Sequence, residues 1–248
     1  MLRPGAARTS VAPGSPLLGG RRGDANGRWR RMSEAVGAAA GDEYVLDHPK
    51  LRAFIEEVKA IRQAHSDPVQ IIEAIRPAFA KLLADSEWLP MKYQEPHPDS
   101  GMGGGIGTWL LYRATDGSLA LSSLVVPPGA QTPTHDHLAW GLVGLYRGEQ
   151  EEEVFTRLDD GSDPERADLR LMERRKLRPG DFYELLPETD IHRVRTISDV
   201  TSVSLHLLGV DNGCIWRHRY DPETGRVEPF KSGYVNVPCE DAPDRSAS

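Results

Sequence analysis

Gly129-Ala-Gln-Thr-Pro-Thr-His-Asp-His-Leu-Ala-Trp-Gly-Leu-Val-Gly-Leu-Tyr-Arg-Gly148 is the stretch on which the reading of this chain turns. At its centre stands His135-Asp136-His137. Side chains two apart on a strand point to the same face of a sheet. Two imidazoles on one inward face suit a single divalent metal ion. The same spacing also describes a surface pair in a loop, so the surroundings decide between the two.

Those surroundings are short strand-like runs at regular intervals. They fall at 108–112, 119–126, 140–146, 152–157, 169–177, 181–186, 192–196, 202–208 and 215–220. Turn signals separate them, among them Asp116-Gly117, Pro127-Pro128-Gly129, Arg147-Gly148, Asp160-Gly161, Pro179-Gly180 and Thr224-Gly225. Many short strands without intervening helices predict a sandwich or barrel.

The chain ahead of them reads differently. A helix is expected over 47–65, with Asp47 as its N-cap, Pro49 in its first turn, and Leu51, Phe54, Ile55, Val58 and Ile61 on one face. Ser66-Asp67-Pro68 restarts the chain as a second helix, which Leu89-Pro90 ends. The pair makes an αα-hairpin, read as a packing element on the larger body. Residues 1–31 carry seven arginines against the single acid Asp24 and too little apolar surface to order themselves. With no apolar signal region, two readings remain open: an organelle transit segment, or an upstream extension with Met32 as the working start. The second is preferred. The resulting division is a disordered basic extension over 1–43, the helical hairpin over 44–90, the β-barrel over 91–238 and a loose tail over 239–248.

At 248 residues the chain is long enough for one domain with a sizeable core. The net charge of -7 argues against nucleic acid as the main partner. No apolar run approaches the roughly 18–20 residues of a membrane span. Cys214 and Cys239 show no CxxC spacing and read as bystanders, which suits a reduced, cytoplasmic setting.

Two glycine-bounded blocks carry the chemistry. Gly129-x5-His135-x-His137 runs on to Gly148, and Gly180-x6-Pro187 leads to His192. Together they resemble the two motifs of the cupin superfamily, with Thr189 where the second motif has a glycine. The resemblance spans roughly residues 108–208. It implies a mainly β fold, the double-stranded β-helix or jelly-roll barrel, here with an N-terminal α-helical hairpin, and a metal held by His135, His137 and His192. The superfamily's glutamate ligand position holds Gly141, so the ligands are three neutral imidazoles and the metal keeps its full charge. Such a set suits Fe, Zn, Ni or Cu better than Mg or Ca. Glu149, Glu151 and Glu153 follow the turn and read as a solvated edge.

A three-histidine set resembles the thiol dioxygenase branch of the cupins, whose members use mononuclear iron. Glycine at 141 and the run His135-Asp136-His137-x-x-Trp140-Gly141 are similar to its bacterial 3-mercaptopropionate dioxygenase group. Ser204 and His206 match that branch's Ser-x-His-x-Tyr series, but Leu208 stands where the tyrosine belongs; Tyr234 and Tyr112 are the candidate substitutes. Arg217 falls where the branch places the arginine that clamps a substrate carboxylate, Arg113 is a second candidate, and Trp140 is a candidate pocket wall. For each of these the bland alternative is a core or surface side chain. The resemblance implies Fe(II), a small carboxylate-bearing thiol as substrate, O2 as co-substrate, and a sulfinate product. The competing expectation is a cupin metalloenzyme of other chemistry, or a non-catalytic metal- or ligand-binding cupin.

Overall fold

The computed structural model describes residues 41–98, 101–186 and 190–239. Two helices lie near its N-terminal end: α1 (Pro49–Ala64) and α2 (Pro68–Ala84). Asp67 caps α2 as expected, its carboxylate accepting from the Gln70 amide at 3.0 Å. The cap of α1 is His48 rather than Asp47: the His48 Nδ1 accepts from the Lys50 amide, while Asp47 pairs with Arg52 at 2.6 Å.

The described residues hold twelve strands, nine of them on the expected runs. They are β1 (Glu43–Tyr44), β2 (Gly107–Arg113), β3 (Ala120–Val126), β4 (Thr134–His135), β5 (Gly141–Arg147), β6 (Gln150–Arg157), β7 (Leu169–Leu177), β8 (Phe182–Leu185), β9 (Ile191–Thr196), β10 (Ser202–Leu208), β11 (Arg217–Tyr220) and β12 (Val227–Phe230). They form two six-stranded sheets, ordered β1-β2-β3-β10-β5-β8 and β12-β11-β4-β9-β6-β7. Every pairing between named strands is antiparallel. The fold is thus mainly β, a jelly roll with an N-terminal helical hairpin.

The sequence reading missed β1, β4 and β12. Strand β1 pairs Glu43 with Arg113 and Tyr44 with Tyr112, so the first sheet takes in residue 43, the last residue of the expected extension. Asp42 also accepts from the Tyr112 hydroxyl at 2.8 Å. The remaining residues of the expected extension, 1–40, lie outside the described residues, as do 240–248 of the expected tail.

The first sheet is buried on both faces, which is why β3 and β10 carry no exposed residue. Leu121, Val125, Leu142, Tyr146, Val203, Leu205 and Leu207 join the hairpin's Phe54, Ile75, Phe79 and Leu83 in one core cluster. Gly144 permits that contact, because a Cβ there would meet Phe79 Cε1 at 2.8 Å and collide with Leu83. The alternate residues of β5 and β10, among them Val143, Leu145 and Leu208, belong to a different cluster. By strand alternation Ser204 and His206 share the Leu208 face, toward the second sheet. No helix among the described residues is long and apolar enough to cross a membrane.

Candidate metal centre

The three histidines of the two sequence blocks converge. His135 on β4 and His192 on β9 are direct cross-strand partners, and therefore share a face. His137 arrives by another route. Strand β4 ends at His135, so simple strand alternation does not place His137. Asp190 does: its carboxylate accepts from the amides of His137 at 2.8 Å and Leu138 at 2.9 Å. Leu138 takes a φ of 53°, the only positive value outside glycine among the described residues. Asp190 holds that left-handed turn, which aims His137 inward.

The ring centroids lie 4.9 Å apart for His135–His137, 5.0 Å for His135–His192 and 4.7 Å for His137–His192. One nitrogen from each falls within 4.8 Å of the others, and all three residues are buried. The Nδ1 atoms are engaged away from that point. His135 Nδ1 bonds the Pro133 carbonyl at 2.8 Å, His137 Nδ1 approaches Asp190 Oδ1 at 3.2 Å, and His192 Nδ1 bonds Glu152 Oε1 at 2.6 Å. Donation from Nδ1 leaves an Nε2 lone pair on each ring. The His192 Nε2 is buried with no hydrogen-bond partner. Burial first, then the neighbouring positive groups, pushes His135 and His137 well below the usual histidine range. Neutral imidazoles with free lone pairs are what a metal ion requires, so the donor set fits one.

A cavity opens beside His135 and His137, lined also by His206, Leu208, Asn212, Arg217, Ser232 and Tyr234. It is narrow, with a cavity volume of about 30 Å³. His206 accepts from or donates to Ser204 Oγ at 3.0 Å through Nε2, and its ring lies 6.4 Å from that of His137. Burial pushes His206 down to about 3. Arg217 is 3% exposed. It donates to the Asp136 carbonyl and to Ser232 Oγ, each at 2.9 Å, and its Nε is buried without a partner. No carboxylate forms an ion pair with it among the described residues. Burial lowers it to about 10, with the charges of Asp136 and Asp190 acting the other way.

Two expected pocket residues lie elsewhere. Arg113 pairs with Glu43 at 2.6 Å and Asp211 at 3.4 Å, held there by the β1–β2 edge. Trp140 packs against the helix-side core cluster rather than the cavity. Of the substitutes for the missing tyrosine, Tyr112 is bound to Asp42, whereas Tyr234 lines the cavity with its hydroxyl donating to Asp211 at 2.7 Å. Pro187 and Thr189 of the second block lie outside the described residues.

Sequence reasoning missed three acids. Glu152 binds His192, Asp190 shapes the His137 turn, and Asp136 accepts from the His218 amide and ring and from the Tyr220 hydroxyl. The expected solvated edge holds for Glu149, which is exposed, but Glu151 is partly buried and pairs with Arg195, and Glu153 is buried and pairs with Arg174 and Arg193. Alternation along β6 is the signal that was available, since Gln150, Glu152 and Val154 share a face. The cysteines also need correction. Cys214 and Cys239 form a disulfide with Cα atoms 5.2 Å apart, so they are neither bystanders nor an argument for a reducing compartment.

No family model matches the chain. Among solved structures it is similar to an oxalate oxidase, at 19% identity over 38% of this chain and 43% of that one, with a TM-score of 0.30. It is similar to a Cupin_2 domain of an XRE family transcriptional regulator from Enterobacter cloacae, at 19% identity over 42% of this chain and 94% of that one, with a TM-score of 0.30. A Bacillus subtilis oxalate decarboxylase with Mn(II) centres matches at 23% identity over 39% of this chain and 22% of that one, with a TM-score of 0.29. The chain spans less than half of the oxalate oxidase it matches.

Proposed function

We propose that the protein is a non-haem iron dioxygenase of the cupin type, oxidising a small carboxylate-bearing thiol to its sulfinate with O2. The observation that carries this reading is Arg217: a buried guanidinium with an unpartnered Nε and no carboxylate in ion-pair contact among the described residues, lining the same cavity as His135 and His137. A buried cation calls for an anion, and a planar fork suits a carboxylate. The cavity's narrowness restricts that anion to a small one.

Iron(II) held by His135, His137 and His192 would supply a Lewis-acidic point for the thiolate and one-electron chemistry toward O2. The chain's own residues do the rest. Arg217 holds the carboxylate, so that the substrate's sulfur is directed at the histidines. Ser204 fixes the His206 ring, which stays neutral and presents a hydrogen-bonding group to the cavity. Leu208, Leu124 and Met102 wall the cavity with apolar surface and limit the water that enters. The reaction balances without an external reductant: RS⁻ and O2 combine to RSO2⁻, sulfur being oxidised and both oxygen atoms retained.

One observation favours a second reading. Leu208 occupies the place of the family tyrosine and has no group to donate, which suits a cupin metalloenzyme of other chemistry or a metal-binding cupin without catalysis. Oxygen uptake by the anaerobically iron-loaded protein decides between them. With 3-mercaptopropionate, cysteine, cysteamine and mercaptosuccinate as the panel, the proposal requires uptake and a stoichiometric sulfinate with at least one carboxylate thiol. Retained iron with no uptake on any of them leaves the second reading.

A further inference from the structure

We propose that Glu152 supplies, through His192, the negative charge that the three-histidine ligand set lacks. The inference rests only on the metal-binding part of the reading above, and thiol chemistry does not enter it. Glu152 is fully buried on β6, and its Oε1 lies 2.6 Å from His192 Nδ1. The position follows from register. Val154 faces His192 across β6 and β9, and Glu152 sits one step along the same face. The diagonal neighbour of a ligand is therefore a carboxylate.

The three histidines are unequal in this respect. His135 leans on a neutral peptide carbonyl at 2.8 Å. His137 has an acid nearby at 3.2 Å, but both oxygens of Asp190 already accept from backbone amides. Only His192 has a short, direct bond to a carboxylate oxygen. A carboxylate at Nδ1 draws the ring proton toward itself and raises electron density at Nε2, strengthening that nitrogen as a donor. A positive ion held by neutral rings alone is thereby partly compensated one residue further out.

Two residues moderate Glu152. Arg175 Nε lies 3.0 Å from its second oxygen, although without an aligned hydrogen bond. The Tyr183 hydroxyl bonds Glu152, stands 3.3 Å from His192 Nδ1, and its ring carries the Arg175 guanidinium at 4.6 Å. Arg175 is 23% exposed in its side chain, on the outer side of the pair. It attracts charge away from His192. Glu152 and Arg175 therefore act on the metal in opposite senses, which separates an electrostatic role from simple support of the ring.

The test is chelator competition with Co(II) alone, paired with the Fe(III)/Fe(II) midpoint potential of the iron-loaded protein. Glu152→Gln keeps an oxygen acceptor and removes the charge. It should weaken Co(II) binding roughly 10- to 100-fold and raise the potential. Arg175→Met should tighten Co(II) binding and lower the potential. Glu152→Gln binding within about twofold of the parent, or Arg175→Met moving either quantity the same way as Glu152→Gln, overturns the proposal. Should Glu152→Gln fail to fold, Arg175→Met decides alone, an unchanged or weakened affinity counting against. A parent protein that takes up no Co(II) would instead sink the three-histidine centre itself. Absence of thiol oxidation touches neither result.

Discussion

Leu208 stands directly across the β5–β10 register from Gly141, and a Cβ at position 141 would lie 2.5 Å from Leu208 Cδ2 and 2.6 Å from the Leu207 carbonyl. Gly141, where the cupin motif has its glutamate, and Leu208, where the thiol dioxygenase series has its tyrosine, are thus one packing unit. Gly141 leaves no open ligand position, because Leu208 fills the space above it. Gly141→Ala should cost about 1–3 kcal/mol by overpacking. Leu208→Ala in the same chain should return part of that cost, with a coupling of about 0.5–3 kcal/mol in a urea double-mutant cycle. Additive effects would show that the two side chains do not share the space.

Arg217 is expected to act on binding of the acid more than on turnover. Loss of a charge-assisted contact is worth about 1.5–3 kcal/mol, roughly a 10- to 100-fold rise in KM for carboxylate thiols. Arg217→Lys should recover little of it, since an ammonium cannot reach the Asp136 carbonyl, Ser232 and a carboxylate in one plane. Steady-state kinetics with cysteamine, which lacks the carboxylate, is the control. An equal rise in KM for cysteamine would remove Arg217 from carboxylate binding.

The metal-free protein should lose stability as pH falls below neutral. Burial holds His206 at about 3 and His135 and His137 well below 6.5, whereas the unfolded chain protonates all of them near 6.5. Between those values the unfolded state binds the extra protons, so stability declines from about pH 6.5 downward. Asp190 works in the opposite sense, because burial and then Asp136 raise it to about 7, and the folded state holds its proton longer. One proton against three leaves the histidines dominant. Urea midpoints of chelator-treated protein at pH 7.5, 6 and 5 measure the slope. His206→Gln should flatten it, and a midpoint independent of pH would contradict the assignment.

Reduction of Cys214–Cys239 should loosen one wall of the cavity. The bridge closes a loop with a sequence separation of 25 that carries Arg217, Ser232 and Tyr234, all of them lining residues. Losing such a closure costs about 3 kcal/mol in the chain-entropy account. The Cys214→Ser/Cys239→Ser protein should show a lower urea midpoint and weaker carboxylate-thiol binding. An unaltered midpoint would mean that the tail is held without the bridge. Other bonds do fasten it: Asn236 brackets the Leu110 amide and carbonyl, each at 2.9 Å.

Where residues interact through local pattern, the sequence was readable. Alternation and turn chemistry locate nine of the strands, helical periodicity locates both helices, and the resemblance of the two glycine-bounded blocks to the cupin motifs points to His135, His137 and His192, which converge in the structure. The missed strands have local reasons. β1 and β4 are two residues long, and β12 contains Pro229, which gives no amide to a ladder and sits on the sheet edge.

What surrounds the histidines was decided only by the tertiary structure. Glu152 meets His192 across 40 residues, Asp190 meets His137 across 53 and Asp136 meets His218 across 82. Each contact depends on which strands adjoin and in what register, and a shift of one residue would turn Glu152 to the face of Glu151 and Glu153. Local periodicity determined that this chain makes a body of short antiparallel strands, and motif resemblance pointed to its three histidines. Register between strands distant in sequence determined which acids stand behind them, and why Gly141 has no room for one.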